Sequence, residues 1–74
     1  MLTLETIVRI VANGGGVIVD GSKFMLDGLI QIATNAAGKG SYVIIRNVGV
    51  IMPDDLARIA GIGGGAVIFD FSDE

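Results

Sequence analysis

The sequence predicts an α/β fold in which three consecutive helix–strand repeats form a short parallel sheet, with the helices packed mainly on one face. A triple repeat carries this expectation. The first unit runs Leu4, Ile7, Ile10-Val11, then Gly14-Gly15-Gly16, then Val17-Ile18-Val19-Asp20. The second runs Leu26, Leu29, Ile32-Ala33, then Gly38-Lys39-Gly40, then Val43-Ile44-Ile45-Arg46. The third runs Pro53, Leu56, Ile59-Ala60, then Gly63-Gly64-Gly65, then Val67-Ile68-Phe69-Asp70. Each unit changes from helical apolar spacing to a β-branched run across a glycine break. Strands joined through helices should be parallel.

The first helix is expected over residues 4–12, where Leu4, Ile7, Val8 and Val11 make one apolar stripe. Thr3 is a natural cap, Glu5 suits the positive end of the helix dipole, and Glu5 and Arg9 stand four apart. Asn13 and the glycines stop this helix. Val17-Ile18-Val19 reads as a buried strand, and Asp20-Gly21-Ser22 as a turn in which Ser22 is a candidate cap for the second helix. That helix is expected over about residues 24–37, with Gly28 inside it as a sign of close approach by another backbone. Tyr42 to Arg46 form the second strand. The following stretch, Val48-Gly49-Val50-Ile51-Met52, is too apolar for an ordinary loop and is either tucked under the repeats or part of an interface. Pro53 opens the third helix, with Asp54 and Asp55 in its first turn and Arg58 four residues beyond Asp54. Ala66 to Phe71 form the last strand, and Ser72-Asp73-Glu74 is a polar tail.

The 74 residues are expected to form one domain over 1–74. Apolar residues make up 51% and charged residues 18%, and the mean hydropathy is +0.72. A chain of this size buries only about 60% of its unfolded surface, so apolar side chains should remain exposed and invite association. No apolar run reaches the roughly 20 residues of a membrane-spanning helix, and the opening Met-Leu-Thr-Leu-Glu lacks the basic region of a secretory signal. The expected setting is cytoplasmic, with no membrane partner. The absence of Cys and His leaves no disulfide or thiol chemistry and removes the commonest general base and metal ligand. With a net charge of −3 and only five scattered basic residues, nucleic acid is not an expected partner.

Glycine-rich loops can cradle phosphate, but such loops follow a strand and precede a helix. Here the order is reversed, so these glycines read as helix stops. Ligands of open α/β sheets bind beyond the C-terminal strand ends, where the three units carry Asp20, Arg46 and Asp70. These residues form either a small ligand-binding site, for a metal ion or polar small molecule, or a self-neutralising charged row that fixes register. Phe24, Tyr42, Phe69 and Phe71 are expected in core packing, and Met25 and Met52 as gap fillers.

In its period and in its pairing of helix and strand, the chain resembles the leucine-rich repeats. The resemblance implies a solenoid architecture. It carries over no functional residue, since the strands lack the Leu-x-Leu-x-x-Asn motif. With helices on one side, the opposite sheet face becomes the expected interface, carried by Val17, Val19, Val43, Ile45, Val67 and Phe69, with Val50 and Ile51 from the apolar loop. The expected function is a non-enzymatic module without cofactor. Its partner would be itself, as a dimer or an open stack, or another protein. The alternative is a small-molecule or metal-ion binding domain using the strand ends.

Overall fold

A computed structural model describes residues 3–72. The expected tail residues Asp73 and Glu74 lie outside it, as do Met1 and Leu2. The described residues alternate helix and strand: α1 (Leu4–Ala12), β1 (Val17–Asp20), α2 (Leu26–Ala36), β2 (Val43–Arg46), α3 (Pro53–Gly63) and β3 (Val67–Phe69). Short 3-10 turns, Gly21–Lys23 and Val48–Val50, follow the first two strands. The sheet is parallel, in the order β1-β2-β3. Its register sets Val17 beside Val43 and Val43 beside Val67. None of the described helices is long and apolar enough to cross a membrane.

The repeat is sharper in space than in sequence. Leu4, Leu29 and Leu56 occupy matching helix positions, followed by Ile7, Ile32 and Ile59 three residues later. Val11, Ala36 and Gly63 come four residues after those. All six residues of the isoleucine and small-residue positions are buried, because this spacing puts them on one helix face. Gly63 is glycine for a local reason. Only residues 64–66 separate α3 from β3, and a Cβ at Gly63 would run into the Val67 side chain. Gly64, with φ +58°, closes α3 in the left-handed conformation that glycine adopts without strain.

Helices cover one sheet face and leave the other open. Val19, Val43 and Ile45 are buried against Val11, Leu29, Ile32 and Ile59, while Val17, Val67 and Phe69 pack partly against this core. The alternate residues, Ile18 and Ile68, are 67% and 46% exposed. A buried hydrogen bond ties one unit to the next: Ser41 Oγ donates to the Val11 carbonyl at 2.6 Å and so caps the end of α1 from the entry of β2.

Several local expectations change. Thr3 does cap α1, accepting from the Thr6 amide at 3.3 Å. Ser22 caps nothing: it lies in the 3-10 turn, and α2 begins later, behind Met25. A Cβ added at Gly28 would meet the Leu4 side chain at 3.4 Å, an ordinary contact, and no neighbouring backbone. Neither Glu5–Arg9 nor Asp54–Arg58 closes into an ion pair among the described residues.

Candidate functional site

The strand ends, the open sheet face and a groove beside the 3-10 turns are the surfaces with distinctive chemistry. At the strand ends, parallel register pairs Asp20 with Arg46. The Asp70 amide donates to the Ile45 carbonyl at 2.9 Å, which holds Asp70 on the other side of Arg46. The acid–base–acid row expected from the repeat is therefore present. Arg46 Nε stands 3.4 Å from Asp70 Oδ2.

Each carboxylate is also held by its own downstream serine. Asp20 Oδ1 accepts from the Ser22 amide at 2.9 Å and from Ser22 Oγ at 2.5 Å. Asp70 Oδ1 accepts from the Ser72 amide at 2.8 Å and from Ser72 Oγ at 2.5 Å. These bonds favour the ionised form and hold both carboxyls below their ordinary range. Asn47 and the Lys23 charge add smaller pulls on Asp20, and the Arg46 charge on Asp70. Asn47 itself takes a left-handed φ of 54°, a backbone state in which Asn is enriched among non-glycine residues. Beside it, Ser22, Asn47, Gly49 and Val50 line an open depression.

The two serine hydroxyls already donate to carboxylates, and those carboxylates are ionised and solvent-accessible. The arrangement is suited to holding charge in place. Among the described residues, no group of three acidic, histidine or cysteine side chains could hold a metal ion.

The open sheet face requires a correction. Val17, Val19, Val43, Ile45, Val67 and Phe69, expected there, point to the helices instead. The open face carries Ile18, Ile44 and Ile68, with Tyr42, 60% exposed, two residues before Ile44 at the entry of β2. Successive strand residues alternate faces, so an error of one position inverts the whole assignment. The charged strand ends held the missing signal. Asp20, Arg46 and Asp70 need solvent, and the residue two before each shares its face, which selects Ile18, Ile44 and Ile68.

The apolar segment after β2 does two things at once. Val48 is fully buried, whereas Val50 and Met52 are 70% and 67% exposed and Ile51 is half-buried. Val50, Ile51 and Met52 form one wall of a groove completed by Phe24, Leu26 and Leu29, with Asp55 at its rim. Met25, next in the chain to two of these residues, is 84% exposed. Of the aromatic residues expected in the core, Tyr42 and Phe71 are exposed.

Comparison with protein-family models, curated proteins and solved structures returns no match to this chain.

Proposed function

We propose that the chain is a non-enzymatic interaction module that self-associates through its open sheet face. The supporting observation is the row Ile18, Ile44 and Ile68, two of them 67% and 46% exposed, beside a Tyr42 that is 60% exposed. The total surface is ordinary, since the accessible area of 4504 Å² is close to the roughly 4,300 Å² typical of this mass. What is unusual is that isoleucine occupies so much of one face.

Two copies related by a twofold axis lying in this interface and running across the strands would have their strands in opposite directions. The Tyr42 end of each copy would then lie over the Arg46 end of the other. That places an aromatic ring near a guanidinium, a favourable pairing, and leaves the charged rows at a solvated rim. Three strands about 4.8 Å apart give a face of only about 250 Å². Stable complexes bury about 800 Å² per partner, so the pair is weak and readily reversible.

Sedimentation velocity from micromolar to millimolar concentration tests this reading. The parent chain is expected to sediment faster as concentration rises, whereas Ile18→Lys combined with Ile68→Lys stays monomeric with its helical signal unchanged. A parent that remains a 7.6 kDa monomer at millimolar concentration overturns the reading.

The finer architectural reading, a three-unit solenoid like the leucine-rich repeats, also belongs among these proposals. It is supported by the matched leucine and isoleucine positions and the sequential strand order.

A second reading is a small-molecule binding domain at the strand ends; its metal-ion form is weakened by the lack, among the described residues, of a group of three candidate ligands. The depression beside the left-handed Asn47 favours it. The serine and arginine partners already held by Asp70 count against it. Titration with divalent ions and polar metabolites, followed by amide shifts at Asp20, Arg46 and Asp70, decides between binding and a purely structural row.

A further inference from the structure

Two helices of this chain depart from the same local preference at the same place. Helix N-caps strongly favour Ser, Thr, Asp or Asn, whose side chains accept from the free amides of the first turn. Thr3 follows the rule in α1. Met25 and Met52 hold the cap positions of α2 and α3, and neither makes a side-chain capping bond. Packing within the chain does not explain them, because they are 84% and 67% exposed. First-turn acids, and Pro53 at the start of α3, partly support these helix ends, but a local rule broken twice by exposed methionines still marks a site kept for something else.

Their surroundings identify what that is. The half-open groove beside them offers about 140 Å³, and the buried Leu29 is part of its lining. An apolar cavity of about 150 Å³ holds a benzene ring, so this one accepts a single bulky apolar side chain. The charge around it is one-sided. Asp55 lines the groove, and Asp27 and Asp54 lie in the same first turns, against Lys23 in the preceding 3-10 turn. The helix dipoles account for acids at these positions, but not for methionines beside them.

We propose that the Met25–Val50–Met52 surface docks a basic amphipathic peptide segment. One bulky apolar side chain of the segment fills the groove. Lysine or arginine residues flanking it meet Asp27, Asp54 and Asp55, and the flexible methionines repack around the guest.

Fluorescence anisotropy with a labelled amphipathic peptide of Leu and Lys, and with its Glu-for-Lys counterpart, tests this. The Lys peptide is expected to bind, less tightly as salt rises, and the Glu peptide about tenfold more weakly or not at all. Met25→Ser with Met52→Ser should weaken binding about tenfold, while each substitution raises Tm by about 2–8 °C because it restores a cap. That opposite movement of affinity and stability separates a docking role from a structural one. The Ile18→Lys/Ile68→Lys chain should bind the peptide as the parent does, so this result stands apart from self-association. Equal binding of both peptides, no binding of either, or undiminished binding by the serine variant overturns the proposal. So does a serine variant whose only change is slower sedimentation of the chain alone, since the occupant would then be a second copy.

Discussion

Glycine has opposite consequences at two positions of this chain. Gly21 is buried where the turn after β1 crosses the end of β2, and a Cβ there would lie 2.9 Å from the Arg46 carbonyl and 3.0 Å from an Ile45 methyl. Backbone cannot yield as a flexible side chain can, so Gly21→Ala is expected to destabilise the fold by about 1–3 kcal/mol. Gly61 lies in α3 with nothing within 4 Å of its would-be Cβ. Gly61→Ala should therefore stabilise by about 0.5–1 kcal/mol, by raising helix propensity and reducing the freedom of the unfolded chain. Urea melts of the two variants should move in opposite directions. The serine–carboxylate pairs predict a pH effect. Asp20 and Asp70 have folded values held below 3.8. Their stabilising contribution is therefore complete above the unfolded value and lost as pH falls through the lower folded ones. Ser22→Ala and Ser72→Ala should raise the respective carboxyl titrations toward 3.8, as read by NMR.

Among the elements, α2 occupies the middle, packed against α1 on one side and α3 on the other. Its Ile32 is fully buried, while the matching Ile7 of the outer helix retains 6% exposure. Ile32→Ala should cost about 2–5 kcal/mol, and more than Ile7→Ala, because neighbours on both sides hold the cavity open. A domain of this length has roughly 4–11 kcal/mol in total, so thermal unfolding should place the Ile32 variant near the edge of stability. The elements also show where sequence reading is strong. Helix α1 spans residues 4–12 as its apolar stripe and Thr3 require, and the strand order follows the chain. The start of α2 was hidden because Ser22 could either accept from a helix amide as a cap or donate to a carboxylate, and the turn after β1 uses it as a donor to Asp20. The strand faces were hidden for a different reason. Val17-Ile18-Val19 and Val43-Ile44-Ile45 contain no polar–apolar alternation, so the inner side becomes legible only through the charged residue ending each run.

In the whole molecule, burial and exposure are sorted by region. The layer between helices and sheet is filled, while most of the exposed large apolar side chains gather on the open sheet face and beside the two methionine caps, with Ile10 and Phe71 apart from both. The aggregate hydropathy anticipated an apolar surplus, but composition carries no address. The charged row at the strand ends was legible by name from its matching repeat positions. Ser22 and Ser72 stand near the row in sequence, but the bonds each makes to its carboxylate were not legible, because they depend on the turns entered after β1 and β3.

The row has one more consequence. With the order β1-β2-β3, both outer strands keep a free edge among the described residues. A copy added in register would seat Asp70 against Asp20 with no arginine between them. Like charges directly opposite on neighbouring strands repel, and each of these is kept ionised by its own serine. Every seam of a growing ribbon would repeat that repulsion, whereas a pair closed face to face contains no such seam. The alternation that binds three strands into one sheet thus also acts as a terminator, written into the strand ends, against adding a fourth.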